Sequence, residues 1–344
     1  MMIRRYLTAF HQPRWNGLLF ALIATIFAWP NLTTQAQQAN QKITAVVTTG
    51  MVGDLVRNVG GEYVEVIDLI PSGFDPHLYK ATRSDVRKLS SSDIIFYSGL
   101  MLEGRMGDTF IKIARQGKPV YPVTEGIDQE MLIEPEEFEG QYDPHIWMDI
   151  SAWIQTVEVV KMALSEIDPA HSKAFQKNAD AYIEQLRKLD EFAKSSLASV
   201  PSANRKLITA HDAFNYFGRR YDIDVYGIQG ISTTAEAGLQ NVNALIDLVV
   251  GSNVEAIFVE SSISDKNVRA IIEGSKARGH DVDLGGELFS DAMGPEGTYE
   301  GTYIGMMDHN ITNITRGLGG DAPKAGLNGK LTTHIETDER APSE

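Results

Sequence analysis

The chain has 344 residues, of which 43% are hydrophobic, and its 46 acidic against 31 basic side chains give a formal net charge of −15 at pH 7. This length suffices for two domains of ordinary size that each bury a core. The acidic balance argues against nucleic acid as a partner and is otherwise mainly a solubility feature.

The first 36 residues have the three-part layout of an export signal. Three arginines precede an apolar run at 18–29, and small and polar residues follow up to Ala36. A retained membrane anchor is the alternative, but the run falls short of the roughly 20 apolar residues that span a bilayer. The sequence contains no cysteine that could carry a lipid. We therefore expect a signal peptide over 1–36, cleaved after Ala36, and a periplasmic protein that is not a lipoprotein.

From residue 42 to residue 166, short runs rich in β-branched residues alternate with helical patterns. This alternation is typical of parallel sheets covered by helices and not of an all-β sandwich. Strands are predicted at Ile43–Thr48, Tyr63–Ile70, Asp93–Tyr97 and Pro119–Pro122. Helices are predicted near 51–59, 84–90 and 104–116. We interpret this part as an N-terminal α/β lobe with a four-stranded sheet.

The tripeptide Asp-Pro-His occurs twice, ending at His77 and at His145. His77 follows the second predicted strand, and parallel sheets place ligands in loops beyond strand ends. Proline fixes φ near −65° and stiffens the approach of the next residue, while the aspartate can hydrogen-bond the loop or the free ring nitrogen. A plain Asp-Pro turn is the alternative for each tripeptide taken alone. The repetition makes both histidines candidate metal ligands, supported by Asp75 and Asp143.

Residues 167–200 predict one long connecting helix. The stretch Pro169–Val200 has no internal glycine or proline and begins with Asp168-Pro169, a favourable helix start. At about 1.5 Å per residue, such a helix would be on the order of 45 Å long. Its apolar residues recur at spacings of three and four, so that one face packs and the other is solvated. We expect a stiff strut between two lobes.

From residue 201 to residue 319 the alternation returns in outline, although no sequence repeat is detectable. Strands are predicted at Lys206–Ala210, Asp224–Tyr226, Ala256–Glu260 and Val282–Gly285. Helices are predicted near 212–220, 236–250, 264–278 and 299–316. We interpret this part as a C-terminal α/β lobe with a second four-stranded sheet. Residues 320–344 are rich in glycine, threonine, proline and charge, which predicts a disordered tail.

Three polar residues of the C-terminal lobe lie at or beyond strand ends. His211 follows a strand and precedes a helix, where capping of that helix is an equal alternative. Asp291 follows the last strand, and taken alone it would be read as a turn or cap residue. Glu260 ends a strand, either as a partner of backbone groups or as support for a ligand or an occasional ligand itself.

The remaining histidines and two Asn-x-Thr triplets carry no comparable pattern. The histidines concerned are His171, His280, His309 and His334. We read them as surface or packing residues. The triplets begin at Asn310 and Asn313 inside a predicted helix, and we read them as chance occurrences.

Five segments, in this order and spacing, resemble the motif series of the zinc- and manganese-binding solute-binding proteins of ABC transporters, known as cluster A-I. The segments are Pro76-His77-Leu78-Tyr79, Asp143-Pro144-His145-Ile146-Trp147, His211-Asp212-Ala213-Phe214, Phe258-Val259-Glu260-Ser261-Ser262 and Leu288-Phe289-Ser290-Asp291. The resemblance covers about residues 42–318. It implies two α/β lobes joined by one rigid helix, with the ion between them. It also implies the ligands His77, His145, His211 and Asp291.

The resemblance further implies high-affinity capture of Zn²⁺ or Mn²⁺, with Fe²⁺ as a further candidate, and delivery to an ABC permease in the inner membrane. We expect a monomer. We also expect that it is not an enzyme, because four protein ligands leave little room for a reactive water. A metallohydrolase, which needs an open coordination position and a general base, and a surface adhesin are the alternatives. The choice of metal stays open, because manganese-dedicated relatives usually carry glutamate in place of His211, while zinc-dedicated relatives often add a histidine- and acid-rich loop that this chain lacks.

Overall fold

Parallel strands covered by helices recur in both halves of the chain, on either side of one long helix, in agreement with the predicted fold class. The computed structural model describes residues 42–136 and 140–332. The predicted signal peptide and residues 333–344 of the predicted tail lie outside the described residues. Within the described ranges, no helix combines the length and the apolar character needed to cross a membrane.

The N-terminal half contains one parallel sheet in the order β2-β1-β3-β4. Its strands are β1 Ile43–Val47, β2 Val64–Asp68, β3 Ile94–Tyr97 and β4 Val120–Pro122. Helices α1 Gly50–Gly60, α2 Arg83–Ser91 and α3 Gly107–Ala114 follow the first three strands in the chain. The central strands β1 and β3 are apolar and almost wholly buried, as expected for a parallel sheet covered on both faces.

A further helix, α4 Ile150–Ile167, is absent from the predicted elements. The Asp149 side chain starts it by accepting hydrogen bonds from the backbone amides of Ser151 and Ala152. Buried residues such as Trp153 and Val157 lie on it at helical spacing. The helix thus begins five residues after His145 and anchors the segment that carries this histidine.

The predicted strut corresponds to helix α5, Ser172–Ala198, after a short 3₁₀ turn at Pro169–His171. It packs against α1 and α4 of the N-terminal half. Tyr182 on its buried face donates a hydrogen bond to Asp54 Oδ2 at 2.9 Å. At about 1.5 Å per residue the helix is roughly 40 Å long, slightly shorter than the pattern predicts.

In the C-terminal half, four parallel strands form two hydrogen-bonded pairs in place of the single four-stranded sheet that the pattern suggests. The pairs are β5 Lys206–His211 with β6 Asp224–Gln229, and β7 Ala256–Glu260 with β8 Asp283–Leu288. Strands β5 and β7 lie side by side. A register shift between Ile257 and Phe258 interrupts the β7 ladder, and such irregularities bend a strand locally.

Helices cover the strands of the C-terminal half. They are α6 Asn215–Tyr221, α7 Leu239–Gly251, α8 Lys266–Ala277 and α9 Tyr303–Gly317. Helix α9 packs against both β8 and the connecting helix α5. The segments that follow β5 and β8 contact the N-terminal half: Tyr216 donates to the Asp143 carbonyl at 2.8 Å, and Ser72 donates to the Met293 carbonyl at 2.7 Å.

One apolar cluster runs through both halves and includes the buried face of α5. It joins Trp153 of α4, Leu186 of α5 and Phe217 of α6 to Tyr303 of α9. The rings of Trp153 and Tyr303 stack with centroids 5.6 Å apart. Because the halves share this core, the described residues from Lys42 onward form one compact unit.

The first part of the predicted tail, residues 320–332, lies against α9. The backbone amide of Leu327 donates to the buried Asp308 carboxylate at 2.8 Å. Gly326 has φ +72°, and a Cβ atom there would come within 2.4 Å of Asp308 Oδ1. Ala322 and Leu331 are buried. This part of the chain therefore has specific contacts that its composition does not indicate.

Candidate metal centre

The structure brings together the four predicted ligand residues from four separate loops and strand ends. The Nε2 atoms of His77 and His145 are 3.3 Å apart. Asp291 Oδ1 lies 3.3 Å from His145 Nε2, and Asp291 Oδ2 lies 3.3 Å from His211 Nε2 and 3.5 Å from His77 Nε2. The ligand-capable atoms of all four residues lie within 4.8 Å of one another.

Three of the converging atoms are buried and have no hydrogen-bond partner in the described part of the chain. They are His211 Nε2 and both carboxylate oxygens of Asp291. Burying polar atoms without partners costs free energy, so an unsatisfied cluster calls for a ligand. A tetrahedral ion with ligand distances of about 2.1 Å separates its ligand atoms by about 3.4 Å. The four separations of 3.3–3.5 Å given above are close to that value, so the cluster has the dimensions of a metal site.

His145 is oriented by Asp143, two residues earlier in the chain. Asp143 Oδ1 accepts hydrogen bonds from the His145 backbone amide at 2.9 Å and from its ring Nδ1 at 2.7 Å. Tyr216 of α6 donates to the Asp143 carbonyl at 2.8 Å, and Asn215 donates to Asp143 Oδ2 at 3.1 Å. The carboxylate keeps the proton on Nδ1 and leaves Nε2 free for an ion.

His211 has an equivalent partner in Glu260, at the end of the neighbouring strand β7. Glu260 Oε1 accepts from the His211 backbone amide at 2.8 Å, and Oε2 lies 2.5 Å from His211 Nδ1. Helix α6 begins only at Asn215 with Phe214 at its N-cap, so His211 does not cap it. Glu260 therefore contacts a backbone group and also supports the imidazole of a candidate ligand.

His77 is held through its backbone, and no carboxylate of the described residues pairs with its ring Nδ1. Asp75 Oδ1 accepts from the His77 backbone amide at 2.8 Å, and Asp75 Oδ2 accepts from the Thr233 hydroxyl at 2.5 Å. Thr233 lies in the loop after β6, so this contact spans the two halves. Sequence reasoning did not identify Thr233, Asn215 or Tyr216, because their roles depend on contacts across about 70 to 160 residues of chain.

The charges in the cluster act on each other strongly. Burial alone would lower the pKa of His145, but the neighbouring Asp143 and Asp291 carboxylates outweigh it and raise that pKa to about 9. Burial is likewise outweighed at His211, where Glu260 and Asp291 hold the pKa well above its ordinary value. Burial dominates at His77 and lowers its pKa to about 4. Burial would raise the pKa of Asp291, but the three imidazoles hold it well below its usual range.

The other described histidines lie outside the cluster. His171 stacks on Tyr63 with centroids 4.0 Å apart, and its Nδ1 lies 2.6 Å from Asp168. His280 Nε2 contacts the Val254 carbonyl at 2.7 Å, and His309 Nε2 contacts the Glu287 carbonyl at 2.9 Å. His334 lies outside the described residues. These contacts agree with the surface and packing roles expected from the sequence.

Comparisons with known proteins match nearly the whole chain. It is 44% identical to the manganese-binding lipoprotein MntA of Bacillus subtilis over 88% of this chain and 99% of MntA. It is 43% identical to the zinc-binding protein TroA of Treponema pallidum over 81% of this chain and 90% of TroA. The solved structure of TroA superposes with a TM-score of 0.78, covering 80% of this chain and 99% of that one.

The predicted localisation, periplasmic and without a lipid anchor, is wrong as an inference for this family. MntA is named a lipoprotein, and so are the streptococcal relatives SsaB and PsaA. Several relatives are thus named lipoproteins, and the expectation of a periplasmic protein without a lipid anchor is withdrawn. Residues 1–41, on which it depended, lie outside the described residues.

A family model also matches most of the chain. The family is described as zinc-uptake complex component A, periplasmic, and its model matches residues 45–317. This span contains all four residues of the cluster and both halves of the fold. A more distant solved structure, Fe(III)-bound YtgA of Chlamydia trachomatis, is 28% identical with a TM-score of 0.71 over 81% of this chain and 99% of that one. The chain belongs to the family of metal-binding substrate-binding proteins of ABC transporters.

Proposed function

We propose that this protein binds a divalent transition-metal ion with high affinity through His77, His145, His211 and Asp291, and delivers it to an ABC-type permease. The observation that carries the proposal is the convergence of buried ligand-capable atoms at separations of 3.3–3.5 Å, three of them without a hydrogen-bond partner among the described residues. The carboxylates on His145 and His211 add to it, because metal-binding histidines usually donate their second ring N–H to such a group.

The donor set suits Zn²⁺, Mn²⁺ and Fe²⁺ as cargo. Three imidazoles and one carboxylate form a four-coordinate zinc site, and the second Asp291 oxygen offers a fifth donor to an ion of higher coordination number. MntA is named for manganese, TroA for zinc, and YtgA has been solved with Fe(III). Since divalent ions follow a general affinity order at nitrogen-rich sites, we infer that Zn²⁺ binds more tightly than Mn²⁺.

We also infer that the protein is a carrier and not an enzyme, and that it acts as a monomer on a membrane permease. A metallohydrolase needs an open coordination position and a free general base. Here four protein donors converge, and the nearby Glu260 carboxylate is engaged by both the backbone and the ring of His211. These features favour holding an ion over activating a water molecule.

The test is a competition titration of the purified protein with Zn²⁺ and Mn²⁺ against a chromophoric chelator, combined with elemental analysis of protein isolated from its native cells. We expect one ion per chain, with Zn²⁺ bound more tightly. A protein that binds no divalent ion under these conditions, or that hydrolyses ester or phosphate substrates once loaded, would contradict the proposal.

The pKa shifts predict how affinity depends on pH. Because the pKa of His145 is raised to about 9, its ring carries a proton on both nitrogens at pH 7 before the ion arrives, and the raised pKa of His211 acts in the same direction. An ion must displace these protons, so affinity should rise with pH up to about 9, beyond the ordinary histidine range near 6.5. Calorimetric titration in buffers of different ionisation enthalpy should show release of at least one proton per ion at pH 7. Binding without proton release would contradict this prediction.

A further inference from the structure

The side-chain amide of Asn310 pairs with both backbone groups of Phe289, two residues before Asp291. Asn310 Oδ1 accepts a hydrogen bond from the Phe289 amide at 2.9 Å, and Asn310 Nδ2 donates to the Phe289 carbonyl at 2.6 Å. Asn310 is fully buried in α9. A primary amide presents a donor and an acceptor side by side, so it pairs with the chain much as a neighbouring strand would. Asn310 thereby fixes the chain just beyond the end of β8.

A second contact holds the next residue, and it comes from the N-terminal half. Trp147 Nε1 donates to the Ser290 carbonyl at 3.0 Å, and the Tyr303 hydroxyl donates to the Trp147 carbonyl at 2.7 Å. Tyr303 and Asn310 are two helical turns apart on α9 and therefore share one face of that helix. One face of α9 thus determines the path of the two residues that precede Asp291.

Asp291 depends on this backbone path, because among the described residues its oxygens face only the three imidazoles of the cluster and no other side chain holds them. His145 and His211, by contrast, are each oriented by a carboxylate on Nδ1. Asp291 Oδ1 faces one imidazole and Oδ2 faces the other two. A small displacement of the preceding peptide would turn one oxygen away from the centre while the other stayed within reach.

We propose that Asn310 is a positioning residue that keeps both oxygens of Asp291 directed at the bound ion and thereby sets the preference between ions. This inference rests on the proposed metal-binding function. A four-coordinate Zn²⁺ is satisfied by three imidazoles and one carboxylate oxygen. Mn²⁺ favours oxygen ligands and a higher coordination number, so it gains more from the second oxygen. Loosening the Asn310 contact therefore weakens Mn²⁺ binding more than Zn²⁺ binding.

The test compares Asn310→Asp with Asn313→Asp, the same substitution one turn further along α9. An aspartate at 310 keeps the acceptor for the Phe289 amide and loses the donor to its carbonyl. The Asn313 amide contacts His309 Nε2 at 2.8 Å and the Glu287 carbonyl at 3.5 Å, outside the pairing with Phe289. For Asn310→Asp we expect the Kd for Mn²⁺ to rise at least about 10-fold more than the Kd for Zn²⁺. The visible absorption of the Co²⁺-loaded variant should shift towards that of a four-coordinate ion, and Asn313→Asp should match the wild type in both measurements.

Equal losses of affinity for both ions, or a lower melting temperature with an unchanged ratio of Kd values, would show that Asn310 is only structural and would overturn the inference. If Asn310→Asp does not fold, Trp147→Phe is measured in its place. This variant loosens the same backbone path before Asp291, because it removes the donor to the Ser290 carbonyl and keeps an aromatic ring. A shift of its Kd ratio towards Zn²⁺ supports the inference, and an unchanged ratio overturns it. Failure of the proposed function is distinguishable, since the wild-type protein would then bind neither ion.

Discussion

Replacement of His145 by alanine is expected to lower the affinity for both Zn²⁺ and Mn²⁺ by more than about 100-fold, beyond the 10- to 100-fold loss typical of partners outside the coordination sphere. His145 Nε2 lies within 3.3 Å of both His77 Nε2 and Asp291 Oδ1, so its imidazole stands centrally in the cluster. Without it, the ion loses a nitrogen donor, and the fully buried Asp143 carboxylate loses its ring partner. Competition titration with a chromophoric chelator measures the loss directly.

His171→Ala is the matched control for this experiment, because His171 also contacts an aspartate through Nδ1 but lies outside the cluster. It should leave the affinity unchanged. A bound ion stabilises the folded state by about 4 kcal/mol when its concentration is 1,000 times Kd. The rise in melting temperature on addition of Zn²⁺ should therefore be seen with the wild type and His171→Ala and be largely absent with His145→Ala. Similar affinities for all three proteins would refute the assignment of His145 as a ligand.

Glu260→Gln is expected to lower metal affinity by about 10- to 100-fold, although Glu260 itself faces away from the ion. The carboxylate lies against His211 Nδ1 at 2.5 Å and keeps the ring proton there, which leaves the Nε2 lone pair for the ion. A glutamine turned to accept from the His211 backbone amide places its NH₂ group against Nδ1. That arrangement favours the tautomer with the proton on Nε2, and a protonated Nε2 has no lone pair for the ion.

The same titration, together with NMR of the imidazole nitrogens in the metal-free protein, separates the two effects of this substitution. At a pH at which His211 is neutral, the NMR spectrum should show its one ring proton on Nδ1 in the wild type and on Nε2 in Glu260→Gln. Glu273→Gln, an exposed position on α8, removes the same charge from the same half and should change neither measurement. Unaltered affinity in Glu260→Gln would mean that the carboxylate is not needed to orient His211.

Much of the site could be predicted from the sequence because its residues occupy positions with local signals. His77 and His145 each follow an Asp-Pro pair, and the aspartate contacts the histidine backbone two residues on. His211 and Asp291 lie at or just beyond the carboxyl ends of strands β5 and β8, where α/β folds place ligands. Such signals are short-range and are therefore readable without a structure.

Other features could not be predicted, because they depend on contacts between distant parts of the chain. Helix α4 is apolar on much of its surface, so its periodicity is weak, and it is stabilised by packing against α5. Asn310 lies in an Asn-x-Thr triplet that suggests nothing about Phe289, yet its side-chain amide forms hydrogen bonds with both backbone groups of that residue. The predicted localisation was wrong for a different reason, since it depended on residues 1–41 alone, whereas several relatives are named lipoproteins.

The apolar cluster that continues from the N-terminal sheet through α5 into α9 has a consequence for how such proteins can be recombined. Neither half buries its apolar surface alone, because α5 offers one face to both. A chimera that exchanges one half for that of a relative must therefore also match the ridges and grooves of the shared helix. The unit that can be exchanged between relatives is therefore the single compact unit that begins at Lys42. Metal preference is more readily altered by substitutions around Asp291 than by exchange of one half.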